Sequence, residues 1–485
     1  MYLLSSLSLL WAVAASASAS PAHHDASIGS QLPLNWWPHL PKYFNLPPLR
    51  EQAEIQDAWT RERLDSIPGL MRKHNVSAWL LSQREYTEEI AFWSLKQATQ
   101  FSARRRTTDL FLADPKPGVK AHHSWVTMTP ERDLWPELRA ILDSEKPDSI
   151  AINADPDISF ASGMHAGELE RVRDGLGDKW ADKLVSAPPM LSIELIGTQV
   201  ESKGLWYWKL MSTSWAMISE AFSERVVKPG VTTTIDVEWW LREKLQQMNY
   251  TTWFQPSVTI VDGDTRWFAA DVDMTAKPRE TIKYGDMLHV DFGVTAMGMN
   301  TDTQHLAYVL YPGETEDDVP KSLIEGLKKG NRVQDIVREN LKPGLTGNEV
   351  LKKSREQMGS EGIEGRIYSH PVGDWGHSAG TPIGKITPCS FVKGRGTNKG
   401  AQGFTNLQDG VPVVGDLPVI ANTFYSVELG VYHFVPEKNA TLFFALEEDV
   451  RYDEGQGFNW VYGRQTKFHV IKTPKKGSLQ DESDL

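Results

Sequence analysis

The sequence predicts two domains: an α/β unit over residues 51–200, then a second unit over 201–473 in which helices precede acid-bearing strands. Three observations carry this. Short apolar runs alternate with helical stretches in the first half. The helical stretches lengthen from about Ile193, and strands return from Ser257. Those later strands hold acids inside apolar sequence, which is costly unless each acid is paired or bound to a cation.

Taken in chain order, residues 1–19 read as a secretory signal. An apolar run from Leu3 to Ala15 ends in Ala15-Ser16-Ala17-Ser18-Ala19, a small-residue cleavage pattern, and the run is too short to span a bilayer. Residues 20–50, rich in Pro, His and polar groups, read as an extended leader. Gln52–Ser66 predicts a helix with Ile55, Trp59 and Leu64 on one face, ended by Pro68-Gly69. Buried strands are predicted at Ser77–Leu81, Asp109–Ala113 and Ser149–Asn153, with a helix at Leu134–Asp143. One long helix is expected over Ile193–Phe222, with Trp208 and Trp215 on a shared core face, and Lys228-Pro229-Gly230 breaks the chain after it. Thr234 opens a further helix with Val237, Leu241 and Leu245 on one side. Strands follow at Ser257–Ile260 and Met287–Asp291, and residues 474–485 read as a disordered tail.

Composition narrows the function. Hydrophobic residues make up 40% of the 485 and aromatics 10%, enough for substantial cores. Lys and Arg number 51 against 63 Asp and Glu, a net charge of −12 that argues against nucleic acid as a partner. The Arg104-Arg105-Arg106 run reads as a solvated or interdomain face. The sole cysteine, Cys389, excludes an internal disulfide and a multi-Cys zinc site, and reads as a small buried hydrophobe. After the signal, no segment approaches 18 uninterrupted apolar residues, so no membrane partner is expected. Sequons at Asn75, Asn249 and Asn439 agree with a secreted, extracellular glycoprotein. The glycines around Gly394-Arg395-Gly396 lack the Lys-Ser/Thr of a phosphate loop.

The chemistry concentrates in the second half. His289-Val290-Asp291-Phe292-Gly293 is a strand ending in an acid, and Asp302 follows eleven residues later across a Gly- and Asn-containing turn. A hairpin there puts both acids on one face. Val427-Glu428-Leu429 and Leu446-Glu447-Glu448-Asp449-Val450 are strand-like and again carry acids. Between the pairs stand Ser369-His370-Pro371-Val372-Gly373 and Gly376-His377. Four carboxylates and one imidazole suit two divalent cations, whose formal charge they balance, and such pairs activate water and polarise carbonyls.

The order Asp291, Asp302, His370, Glu428, Glu447 resembles the pita-bread metallopeptidases, the family of aminopeptidase P, prolidase, methionine aminopeptidase and the metal-free creatinase. Asp291-Phe292-Gly293 with Asp302 resembles its first metal hairpin, and His370 to His377 its histidine segment. Glu428 lies in a Glu-Pro-Gly-like strand with Leu429 in the proline place, and Glu447 in the final Glu-acid strand. Glu448 is the neighbouring register, and the hydrophobic-Glu-acid-acid-hydrophobic pattern selects Glu447. The resemblance implies an α/β N-terminal domain of the aminopeptidase P and creatinase kind, followed by an α+β pita-bread catalytic domain. It implies that Asp291 chelates one metal, Asp302 and Glu447 bridge two, and His370 and Glu428 hold the second. Glu428 would also shuttle a proton, and His377 would contact substrate or oxyanion. The ions implied are manganese first, with cobalt, zinc or iron as alternatives. A homodimer acting on small peptides or amides follows from the same likeness.

Several positions depart from the family pattern. The family has a histidine before the first Asp, whereas Val261–Leu288 has none and holds Trp267, Phe268 and Met274. His289, on the same side of its strand as Asp291, reads as a packed strand histidine. Thr303-Gln304-His305 replaces a segment that often carries Thr and Arg, and Ser378 replaces an acid. Arg366 stands near the place of an additional histidine of aminopeptidase P. These changes alter the substrate face while leaving the ligand set whole. The expected function is therefore a secreted dinuclear metallohydrolase cleaving an amide, of Xaa-Pro aminopeptidase or dipeptidase type. A same-fold enzyme acting on a non-peptide C–N substrate, and a non-catalytic protein that retains the metals, are the alternatives.

Overall fold

The computed structural model describes residues 40–127, 133–262, 280–385 and 408–473. The predicted signal, the leader up to residue 39, the tail, Cys389, the Gly394-Arg395-Gly396 segment, Trp267, Phe268 and Met274 lie outside the described residues.

The first half runs α1 (Leu49–Lys73), β1 (Ala78–Gln83), α2 (Ile90–Leu95), β2 (Arg106–Leu112), β3 (His122–Thr127), α3 (Leu134–Glu145), β4 (Ile150–Ile152), α4 (Ala166–Leu176), α5 (Asp178–Ala181) and β5 (Leu184–Ser186). Its sheet has the order β3-β2-β1-β4-β5, antiparallel on the β1–β2–β3 side and parallel from β1 through β4 to β5. Every residue of β1 is buried, which explains its apolar run from Ala78 to Leu81. Helix α1 does not stop at Pro68 as expected. The proline removes a backbone donor, but Ile67 and Met71 on either side of it are fully buried, and that apolar anchor carries the helix to Lys73. The Arg104–Arg106 run is not uniformly a solvated face either. Arg106 is buried and forms an ion pair with buried Glu168, which also receives Arg84 Nε at 3.0 Å.

The second half begins with α6 (Pro189–Gly197), α7 (Gly204–Ala221) and α8 (Thr234–Gln247). The single helix expected over Ile193–Phe222 is broken after Gly197. Thr198 is extended there, and the Gln199 amide donates to the Asn422 carbonyl at 2.7 Å, so a tertiary partner takes the donor that a continuing helix would use. Trp208 and Trp215 do pack in one core, beside Tyr462. Helix α8 starts at a Thr233–Asp236 capping box and buries Val237, Leu241 and Leu245.

The remaining elements are β6 (Ser257–Ile260), β7 (Met287–Phe292), β8 (Thr295–Ala296), β9 (Met299–Asn300), β10 (Thr303–Val309), α9 (Lys321–Asn340), α10 (Gly347–Ser360), β11 (Gly365–Ile367), β12 (His370–Val372), β13 (Phe424–Val435), β14 (Ala440–Asp453), β15 (Gly457–Trp460) and β16 (His469–Ile471). Nine of these strands form one sheet with the path β11-β13-β14-β10-β7-β6, and β8 and β9 pair as a separate two-stranded hairpin. Along that path the long strands change partners. β13 meets β11 at one end and β12 at the other, β14 meets both β10 and β15, and β10 takes on β16 in parallel. Such partner changes curl the sheet. Leu323 and Leu327 of α9 share an apolar core with Phe444 and Leu446 of β14. Among the described residues, no helix is long and apolar enough to cross a membrane.

Candidate metal centre

Strand register places the predicted residues. Ser257 lies opposite Asp291, Asp291 opposite Gln304, Gln304 opposite Glu447, and Glu447 opposite Glu428. Directly opposed residues project to the same face, so one row of side chains crosses five strands. Asp302 joins that face by standing two residues before Gln304, and His370 joins it by pairing with Ser426, two residues before Glu428. Glu448 falls on the other side of β14. There it accepts from His305 Nε2 at 2.9 Å, Trp215 Nε1 at 3.0 Å and the Gln465 amide at 2.8 Å.

The tightest grouping is Asp302, His370 and Glu447, each buried and each offering a ligand atom within 4.8 Å of the others. His370 Nε2 lies 3.6 Å from Asp302 Oδ2, 3.7 Å from Glu447 Oε1 and 3.9 Å from Glu428 Oε2. Its Nδ1 is 3.0 Å from the Pro371 carbonyl, which fixes Nδ1 as the protonated nitrogen and turns the Nε2 lone pair towards the three carboxylates. Nε2 is buried without a hydrogen-bond partner. Three carboxyl groups gathered around an imidazole nitrogen that hydrogen-bonds to none of them form an arrangement that a divalent cation between them would satisfy, so these residues fit one. Burial first, then the neighbouring carboxylates led by Glu447, push the Asp302 and Glu428 carboxyls well above their usual range. Asp291, only partly buried, lies outside the tight grouping.

His377 stands at the rim, its ring 4.5 Å from that of His370 and nearly perpendicular to it. Trp253 packs edge-on at 5.1 Å, and the Tyr368 hydroxyl is 3.4 Å from His377 Nε2. Desolvation, then the His370 imidazole, lowers its pKa to about 4, so the ring is neutral at pH 7. Two glycines admit the Trp253 indole. A Cβ at Gly376 would lie 2.1 Å from the ring, and one at Gly293 2.6 Å from its nitrogen.

The sequence profile of metallopeptidase family M24 matches residues 209–452. The chain belongs to metallopeptidase family M24. Three solved structures show the shared fold. An X-Pro aminopeptidase from Thermotoga maritima has a TM-score of 0.55 at 15% identity, covering 83% of this chain and 99% of its own. A histidine-to-alanine variant of Escherichia coli aminopeptidase P has 0.54 at 11%, covering 85% and 96%. The N-terminal domain of the FACT complex subunit SPT16 from Eremothecium gossypii has 0.56 at 10%, covering 86% and 99%. No curated protein matches by sequence. The M24 chain is thus a divergent pita-bread protein with an α/β N-terminal domain. Since peptidases and a FACT subunit share this fold, its chemistry has to be read from its residues.

Four features escaped the sequence reading. Asp449, two residues past Glu447 and so on its face, accepts the Asp302 amide at 3.1 Å and the Tyr207 hydroxyl at 2.9 Å, anchoring a predicted ligand. Strand alternation alone could have flagged it. Ser426 donates to Glu447 Oε1. Asp374, in the loop between His370 and His377, is buried between Arg63 and Lys203, with Lys203 Nζ at 2.6 Å. Burial alone would raise its pKa, but those two cations hold it well below the usual carboxylate range. Finally, His289 and Gln304 bond to each other at 2.9 Å inside the site, so His289 does more than pack.

Proposed function

We propose that this M24 protein is a metal-dependent hydrolase of Xaa-Pro aminopeptidase or dipeptidase type. The observation that carries the reading is His370, whose oriented and unpartnered Nε2 faces three buried carboxylates. Asp302, His370 and Glu447 would hold the ion, with Glu428 and Asp291 beside them. A divalent cation supplies Lewis-acid polarisation of a carbonyl and activates water for attack. Glu428 holds a proton readily in this environment, which suits it to take one from the attacking water and pass it to the leaving amine. Neutral His377 donates to the carbonyl oxygen as negative charge develops there. Manganese is the first candidate, since oxygen donors outnumber the single imidazole.

Secretion belongs to the same proposal. Asn75, Asn249 and Asn439 are all exposed with positive φ, on turns that end a helix or join strands, where a glycan has room. The chain is further proposed to act as a homodimer. A second reading, hydrolysis of a non-peptide C–N substrate, is favoured by the lack of histidine over Val261–Leu288 and by the aromatic rim of Trp253 and Tyr368.

The deciding experiment compares metal-stripped and manganese-restored protein on Xaa-Pro dipeptides, longer Xaa-Pro peptides and simple amides. Metal-restored cleavage confined to Xaa-Pro bonds supports the first reading. Cleavage of amides but no peptide selects the second, and bound metal without any hydrolysis leaves a binding protein.

A further inference from the structure

We propose that the Gln304 carboxamide takes the place of a second cation, so that the centre binds one divalent ion, at Asp302, His370 and Glu447, in place of the two expected from its ligand set. This rests on the metal-dependent reading above. Its basis is the hydrogen bonding of one neutral side chain among four acids. Gln304 Nε2 donates to Glu428 Oε1 and to Glu447 Oε2, each at 2.8 Å. Its Oε1 is 2.9 Å from His289 Nε2. All four side chains are buried.

The orientation of the amide follows from its surroundings. Two carboxylate oxygens accept hydrogen bonds and cannot donate when ionised, so the NH2 end must face them. The carbonyl end then faces His289, which donates from Nε2. The two N–H bonds therefore offer positive partial charge to the inner oxygens of Glu428 and Glu447, which is the electrostatic service a cation would perform. The outer oxygens, Glu428 Oε2 and Glu447 Oε1, remain turned towards His370. One cation position stays open on the His370 side, and the other is filled by an amide.

Strand register makes the substitution hard to undo. Gln304 is directly opposite Asp291 on one side and Glu447 on the other. Strands lie about 4.8 Å apart, so Asp291 and Glu447 are about 10 Å apart at the backbone with Gln304 projecting between them. An ion shared by Asp291 and Glu447 would have to expel that side chain and break three hydrogen bonds at once. His289, two residues before Asp291 on the same face, supplies the third of these and keeps the amide from swinging aside.

The test is the stoichiometry of Mn(II) binding to the metal-stripped full chain, measured by equilibrium dialysis with elemental analysis and by electron paramagnetic resonance. Wild type should bind one Mn(II) per chain with the spectrum of an isolated ion. Gln304→Thr, which opens the position, should bind two and show the spectrum of a coupled pair. The isosteric Gln304→Glu, which removes the two donors and adds a carboxylate, should also take up a second ion. His289→Ala should do so more weakly by freeing the amide. Two tightly bound ions in wild type overturn the inference and leave the metal-dependent reading standing, and so does one ion in all the folded variants. Loss of an ion in Gln304→Thr would make Gln304 a ligand and also overturns it. Wild type that binds no Mn(II) sinks the metal-dependent reading itself.

Discussion

His377 is the residue whose removal should separate chemistry from metal binding. It packs against His370 but takes no part in the carboxylate cluster. His377→Ala is expected to lower kcat by roughly 10²–10³-fold, as loss of an oxyanion donor does, with ion content unchanged by elemental analysis. Loss of the ion along with the activity would place His377 among the ligands. In the α/β domain, Glu89 gives a pH signature of its own. Burial raises its pKa from the ordinary 4.5 to about 8, against the pull of a hydrogen bond from Asn153. The fold therefore favours the protonated form. The stability it contributes is complete below about pH 4.5 and is lost as pH rises towards 8. Urea unfolding of wild type and Glu89→Gln at pH 5 and pH 8 should show a decline of a few kcal/mol in wild type that the variant lacks. Parallel declines would refute this account of Glu89.

At the level of elements, the loop from β12 to His377 is tied to the other half of the chain. Asp374 in that loop pairs with Arg63 of α1 and with Lys203, just ahead of α7. Arg63→Ala would leave a buried charge short of one partner, at a cost of about 3–5 kcal/mol. We expect a clear fall in Tm together with weakened hydrolysis, since the loop positions His377, and partial recovery in Arg63→Lys. A variant with wild-type Tm would show that the triad is not a structural tie. These contacts also mark what could be read in advance. That Asp302, Glu428 and Glu447 gather around His370 was legible because an acid in an apolar strand is expensive, and strand alternation then says which acids share a face. The strands around them were legible for the same reason. Gln304 was not, because a neutral amide carries no such cost and its meaning lies in the register of three strands. Arg63 was not, because a helical arginine usually faces solvent. Pro68 and the break after Gly197 were misread because distant partners, a buried apolar anchor and the Asn422 carbonyl, overrode local signals.

For the whole molecule, an ion held at Asp302, His370 and Glu447 would also add stability. Buried carboxylates that repel one another destabilise the metal-free protein, and an ion that binds only the folded chain adds about 2.7 kcal/mol at a hundredfold excess over its Kd. Chelation should therefore lower the apparent Tm by several degrees, reversibly on adding Mn(II). In Asp302→Asn the metal-free Tm should rise and the gain on adding Mn(II) should shrink. An unchanged Tm on chelation in the wild type would argue that no ion resides in the cluster.

The row from Ser257 through Asp291, Gln304 and Glu447 to Glu428 has one more consequence. Its members come from β6, β7, β10, β14 and β13, and a slip of one residue in any of these strands would turn that member to the opposite face. An ion site at Asp302, His370 and Glu447 would accordingly be complete only once the strands that carry those residues stand in register. Capture of an ion would then mark the copies in which that part of the sheet has closed correctly.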